Sequence, residues 1–401
     1  MMHPLSIIFA ILFWTCAALV AHTYVMYPLL AWGISRLRRA PKTPAKPADS
    51  LTVSLLIVAH NEQEVIEQRL VNALSLDFPC QRLEIVVASD GSSDSTAEIV
   101  RRYADRGVRL IDFQPQRGKA GALNRAIPQL TTDIVALSDA NTQLDVAALR
   151  NLVGWFGDPQ VGVVCGRLIL TDPQSGQNAD GLYWKYETLI KQCEARLDAL
   201  LGANGAIYAI RRSVYVPLPD QMIVEDFVIP LLSRLHHGCA IRYDVNAIAQ
   251  EPSAANLREE FRRRSRIGVG NFQSLGLLWR LLDPRRGFVA FAFLSHKLLR
   301  WFCPFFLIGL VIASAALVEW PFYRVALVAQ IICYLIAGLA LLAPAGLRLP
   351  RIVRLMAMFV SMNAALLVGF FRWLSGANQL GWRPTNRSAD SANVAGTRPQ
   401  T

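Results

Sequence analysis

The chain has 401 residues, of which 53% are hydrophobic, and a formal net charge of +11 at pH 7. The apolar share is too high for an ordinary soluble globule of this length, and the excess lies at the two ends. Seven cysteines without paired C-x-x-C spacing argue against a disulfide framework or a zinc site.

The stretch "PLSIIFAILFWTCAALVAHTYVMYPLLAWGI" (4–34) is too long and apolar for a cleaved signal, so residues 1–34 read as a membrane helix. A basic, proline-rich linker follows at 35–50, and the positive-inside tendency makes it cytoplasmic. Residues 51–255 have mixed polarity and no spanning run. A basic amphipathic or interfacial segment occupies 256–300, about three further spans are expected within 301–375, and a polar tail closes the chain at 376–401. The arginine-bearing loop "PAGLRLPRIVR" fits the inside with three C-terminal spans, but the same count leaves the basic tail outside. A re-entrant or interfacial segment near 288–300 would reverse that parity. Much of the basic charge lies beside apolar segments or on one helix. The expected partners of that charge are therefore lipid head groups and phosphates, not nucleic acid.

Within the central region, "LTVSLLIVA" (51–59) is a near-continuous apolar run, as a buried parallel strand requires. Helical spacing follows at "EVIEQRLVNALSL", then strand "RLEIVVAS" and helix "STAEIVRRYADR". Strand "VRLIDF", helix "GKAGALNRAIPQL", strand "DIVALSD" and helix "DVAALRNLVGWF" complete the series. Such alternation predicts an open α/β sheet with crossover helices. Beyond "VGVVCGRLIL" the rhythm becomes irregular, and this half is expected to supply the acceptor side.

Polar clusters fall where the strands end, and this fold places its ligands there. They are "AHNE" (59–62), "SDGSSD" (89–94) and "SDAN" (138–141). Asp94, Ser95 and Thr96 suit a helix start, whereas Asp90 is not needed for that cap and is a candidate binding residue. Asp139 and Asn141 stand at i and i+2 on an extended segment, a spacing that lets two oxygens reach a hard divalent cation and a diphosphate. Asn141 is the weaker ligand of the two. In "RGKAGALN" (117–124), Arg117 and Lys119 can meet phosphate, while the small residues allow close helix packing. Arg263 and Arg266 lie three apart on one face of the basic helix "NLREEFRRRSRIGVGNFQSL", which also suits an anionic lipid surface.

Taken in order, "AHNE", "SDGSSDST", "RGKAGALN", "SDANT", "GANGAIYAIRR" and "VEDFVIP" resemble the membrane-bound family 2 glycosyltransferases. That group includes the cellulose, chitin, hyaluronan and poly-N-acetylglucosamine synthases. The resemblance covers roughly 50–275 and the flanking membrane helices. It implies a GT-A fold, a UDP-sugar donor, Mg²⁺ or Mn²⁺, and inversion at the anomeric carbon. By position it puts Ala59 and Glu62 in the nucleoside pocket, Asp90 against uracil, Lys119 in the donor site, and Asp139 with Asn141 at the metal. Asn204 and Gly205 fall on the acceptor-side strand. Glu225 and Asp226 match an E-D pair whose Asp is the catalytic base, although acidic residues there also suit a helix start. Arg263 and Arg266 match a motif that grips the leaving diphosphate. Ile267 replaces its tryptophan, the aromatic floor of the acceptor site, which weakens the case for processive polymerisation.

The expected protein is a multi-pass inner-membrane enzyme with a cytoplasmic catalytic domain. It passes sugar to a lipid-linked or growing saccharide acceptor in surface polysaccharide assembly, a setting compatible with export partner subunits. The alternatives are a processive synthase that extrudes its own polymer, and an inactive membrane scaffold.

Overall fold

The computed structural model describes residues 4–39, 41, 50–171, 182–252, 257–343 and 350–376. Most of the expected linker, part of the arginine-bearing loop and nearly all of the tail lie outside them. Helix α1 (Pro4–Ala21) continues through a π-turn, His22–Met26, into α2 (Tyr27–Arg36), so Pro4–Arg36 is one apolar helix. The strand-helix series follows: β1 (Val53–Ala59), α3 (Ile66–Leu74), β2 (Leu83–Asp90), α4 (Thr96–Arg101), β3 (Val108–Phe113), α5 (Lys119–Ala126), β4 (Ile134–Asp139), β5 (Gln143–Leu144) and α6 (Ala148–Gly154). After these come β6 (Val161–Thr171), α7 (Leu182–Arg196), β7 (Tyr208–Arg211), α8 (Glu225–His237) and β8 (Ala240–Pro252). The chain then runs into α9 (Leu257–Leu278), α10 (Phe288–Ala292), α11 (Leu299–Ala316), α12 (Pro321–Leu342) and α13 (Arg351–Leu374).

The eight strands form one sheet in the order β3-β2-β1-β4-β7-β6-β8-β5. The first four are parallel, as the crossover pattern requires, while β7 enters antiparallel between β4 and β6. Every residue of β1 is buried, because β1 is central and both faces of the sheet are covered. Leu55 and Ile57 point into a core under α3 and α6, and Leu56 and Val58 into the opposite core. That second core also takes in Tyr27 and Ala31 of α2, Phe272 of α9 and Trp301 of α11. The sheet and the apolar helices therefore share one hydrophobic interior.

Four helices among the described residues are long and apolar enough to cross a membrane: Pro4–Arg36, Phe288–Ala316, Pro321–Leu342 and Arg351–Leu374. The segment expected to be interfacial near 288–300 is instead the start of a continuous helix. A π-turn at Phe293–Leu298 joins α10 to α11, so the expected boundary at 300 falls inside that helix. Helix α9 packs along α13. Gly268 and Gly369 form the crossing, where a β-carbon on Gly369 would lie 2.8 Å from the Gly268 Cα. Phe272 stacks on Trp373 beside it, with ring centroids 5.8 Å apart.

Candidate functional site

The loops after β1, β2 and β4 meet the start of α8 and one face of α9 around a cleft of about 1410 Å³. At one end, hydrogen bonds tie the first two loops together. Asn61 Oδ1 accepts from the Ser93 amide at 2.8 Å, Thr96 Oγ1 accepts from the Glu62 amide at 2.8 Å, and Asp94 accepts from the Gln63 amide at 3.1 Å. The polar residues Ser93, Asp94 and Thr96 thus join two strand ends at the start of a helix. Glu62 lines the cleft. Ala59 does not, being fully buried in β1.

Asp90 departs from its expected place. Its side chain is 0% exposed, and both carboxylate oxygens are engaged. The Arg117 amide donates at 3.0 Å, the Gly118 amide at 2.7 Å and Arg125 Nη2 at 2.6 Å. Gly118 has φ +86°, a conformation that favours glycine, and its N–H points at Asp90. Asp90 is a buried anchor for the 116–118 loop, which itself lines the cleft. A base cannot reach this carboxylate without displacing those donors.

Lys119, at the first turn of α5, joins the motifs. Its Nζ lies 2.6 Å from Asp139 Oδ1 and 2.6 Å from Glu225 Oε1. Burial alone would lower the ammonium's pKa, but the two carboxylates outweigh it and hold Lys119 well above the ordinary lysine range. Glu225 is pushed up, chiefly by burial and also by Asp226 and Asp139, which Lys119 only partly offsets. Its neighbour Asp226 is oriented by backbone: Oδ2 accepts from the Gly205 amide at 2.9 Å and Oδ1 from the Phe227 amide at 3.0 Å. A β-carbon on Gly205 would stand 3.4 Å from Asp226 Oδ2, 3.4 Å from Lys119 Nζ and 3.6 Å from Asp139 Oδ2, so these charges converge on one spot.

Asn204 and Gly205 are not strand residues. They occupy a tight turn before β7, closed by a bridge between Asn204 and Ile207. Asn204 Oδ1 accepts from Lys191 Nζ, and its Nδ2 donates to the Gly166 carbonyl at 3.0 Å. Asp139 is the last residue of β4, and Ala140 and Asn141 lie in the turn that follows, in which the Thr142 amide donates to the Asp139 carbonyl at 3.3 Å. From α9, Arg263, Arg266 and Ile267 all line the cleft. Burial lowers the Arg266 pKa, with Glu225 opposing that effect.

Several further residues were not read from the sequence. Asn124 of "RGKAGALN" accepts from Tyr215 Oη at 2.8 Å and donates to the Leu218 carbonyl at 2.6 Å, bracing the 215–220 segment. Arg69 is fully buried beneath the cleft floor, where it interacts electrostatically with Asp139, and burial lowers its pKa to about 10. Lys191, Lys297 and Arg300 line the other end of the cleft with Glu187 and Trp301. A signal for two of them did exist: Lys297 and Arg300 are cations inside an apolar run, where charge is costly and usually has a task.

A divalent cation would find two of its ligands here in Asp139 and Asn141. Among the described residues no group of three or more His, Cys, Asp or Glu is placed to hold a metal. That donor set fits an ion that completes its shell with diphosphate and water, as Mg²⁺ commonly does, and not a resident ion in a protein cage.

A mixed sheet with helices on both faces, ending in a carboxylate-rich cleft at its strand tips, defines a GT-A fold. Its whole-chain similarity to a mannosyltransferase from Pyrobaculum calidifontis, solved with GDP-mannose and Mn²⁺, has a TM-score of 0.70 at 22% identity and covers 90% of this chain and 99% of that one. Residues 54–215 match the model of the glycosyl transferase family 2 domain. These residues form a family 2 glycosyltransferase domain. The chain is 28% identical over 324 residues to a probable glycosyltransferase, YdaM, of Bacillus subtilis, covering 76% of this chain and 75% of that protein. It is 30% identical over 249 residues to the poly-β-1,6-N-acetyl-D-glucosamine synthase of Staphylococcus aureus, spanning 58% of each.

Proposed function

We propose that this enzyme transfers a sugar, with inversion, from a UDP-sugar to a lipid-linked or growing saccharide acceptor in surface polysaccharide assembly. The work takes place on the cytoplasmic side of the inner membrane, with the helices at both ends of the chain anchoring the domain. The observation that carries this reading is the convergence of Lys119, Asp139, Glu225 and Asp226 in one cleft.

In this reading the donor's nucleoside lies by Glu62 and the 116–118 loop, and its diphosphate is held by Arg263 and Arg266. Asp139 and Asn141 would hold Mg²⁺ or Mn²⁺, which would supply charge neutralisation at the diphosphate. Asp226 takes the proton of the acceptor hydroxyl as that oxygen bonds to the anomeric carbon, and the bond from that carbon to the diphosphate breaks. The two backbone N–H donors fix the carboxylate's direction. Glu225 and Lys119 set the local charge and do not receive the proton.

Ile267 at the acceptor end favours short products over a long polymer. The P. calidifontis neighbour binds GDP-mannose, so a screen should include GDP-sugars beside UDP-sugars. The test is nucleotide release by purified protein across those donors, with and without Mg²⁺ or Mn²⁺, followed by product length. Release from no donor would leave the inactive-scaffold reading standing. Full turnover without divalent ions would remove the metal from the proposal.

A further inference from the structure

The cleft does not end at Asp226. It continues past Phe227 to a wall made by Trp184 and Lys191 of α7, Lys297 of the π-turn, Arg300 and Trp301 of α11, and Leu366 of α13. This end carries more positive charge than its carboxylates neutralise. Glu187 is paired with Arg300 at 2.6 Å, and Glu194 accepts from Tyr27 Oη at 2.7 Å while contacting His296 Nδ1 at 2.7 Å. Among the described residues, Lys191 is hydrogen-bonded to the neutral amide of Asn204 and to no carboxylate. Among the described residues no carboxylate lies within ion-pair distance of Lys297, whose ammonium stands 5.5 Å from the centroid of the Phe227 ring. Phe227 follows Asp226 directly and packs edge-on against Trp301 at 6.0 Å.

An ammonium on an apolar helix, near two other cations and facing an open cleft, is unfavourable unless an anion completes it. The residues around it also say what that anion is attached to. Trp301 and Leu366 belong to helices long and apolar enough to span a membrane, so the anion's environment is polar on one side and hydrocarbon on the other. We infer that Lys297 and Lys191, backed by Arg300, form an anion subsite for the phosphate of a phosphorylated-lipid acceptor. Its chain leaves along Trp301 and Leu366, and its glycosyl-accepting end points to Asp226. This rests on the transferase reading above and specifies its acceptor. The donor's diphosphate has its own cations, Arg263 and Arg266, on α9.

The test uses the full chain in detergent micelles with farnesyl phosphate as the probe. Farnesol, which has the same chain without phosphate, and sodium glucuronate, an acidic sugar without a chain, are the controls. Wild type should bind farnesyl phosphate saturably, and Lys297→Gln should weaken that binding about tenfold, the loss of one charge-assisted contact. Lys297→Arg should restore most of it. Neither control should compete. Calorimetric UDP and GDP affinities, measured in the same preparations, should be equal in wild type and variant, which distinguishes a lost contact from a lost fold. Unchanged farnesyl phosphate binding in Lys297→Gln would overturn the inference, as would equal binding of farnesol. Glucuronate binding that is tighter and is lost in the variant would assign the subsite to an acidic saccharide instead. If wild type binds farnesyl phosphate through Lys297 but binds no nucleotide, the subsite stands and the transferase reading fails.

Discussion

Asp226 and Glu225 are adjacent in sequence yet held in opposite ways: backbone N–H groups orient the first, and burial with an ammonium constrains the second. Asp226→Asn keeps an oxygen for the Gly205 amide but cannot take a proton at neutral pH. The transfer rate should therefore fall about a hundredfold or more. Calorimetric donor affinity should stay near wild type, and a variant with near-normal transfer would remove Asp226 from the mechanism. Asp90 makes the contrary case, in which a binding-site motif turns out to hold a loop. Asp90→Ala strands the Arg125 guanidinium and two backbone donors, a loss of about 3–5 kcal/mol. Thermal unfolding should register that as a large drop in melting temperature. An unchanged melting temperature with much weaker UDP binding would return Asp90 to the nucleoside.

At the scale of elements, two of the contacts that tie the transferase domain to its apolar helices make distinct predictions. The first is the α9–α13 crossing. Gly369→Val places carbon against the Gly268 backbone, so the helices must separate, at a cost of about 1–3 kcal/mol. Because α9 also bears Arg263 and Arg266, transfer should slow in the same variant, and full activity at unchanged stability would show that the crossing is slack. The second is the Glu187–Arg300 pair. Burial would raise the Glu187 carboxyl, but Arg300, with His296 and Lys297, holds it well below the usual carboxylate range. A depressed folded-state pKa contributes stability that is present above the unfolded value near 4.5 and lost as pH falls through the folded value. Wild type should therefore melt higher than Glu187→Gln at pH 7, and the gap should close as pH falls below about 4.5. A gap independent of pH would mean that the carboxylate's charge is not what stabilises the pair.

Across the whole molecule, what could be read from the sequence follows the range of the interactions. The parallel strands and their helices were legible because apolar runs and 3.6-residue spacing are local signals. The convergence of Lys119, Asp139 and Asp226 was anticipated from a series of ordered motifs. The burial of Asp90 is not legible in its motif, because its partners Arg117, Gly118 and Arg125 arrive from the next loop and helix. The cationic end of the cleft was missed because Lys191 and Lys297 are about a hundred residues apart and meet only through tertiary packing. The α9–α13 crossing belongs to this long-range class as well, and it has a mechanical consequence. A helix that crosses a bilayer tilts to match its thickness, and α13 would pass that tilt through two glycines to the arginines that line the cleft. Catalysis should then respond to lipid chain length in nanodiscs of otherwise equal composition, with an optimum at one thickness that Gly369→Val blunts. A rate indifferent to chain length would mean that the clasp holds the domain in place without steering it. On the steering account the bilayer behaves as a gauge, and the enzyme runs fastest in membrane of the right depth.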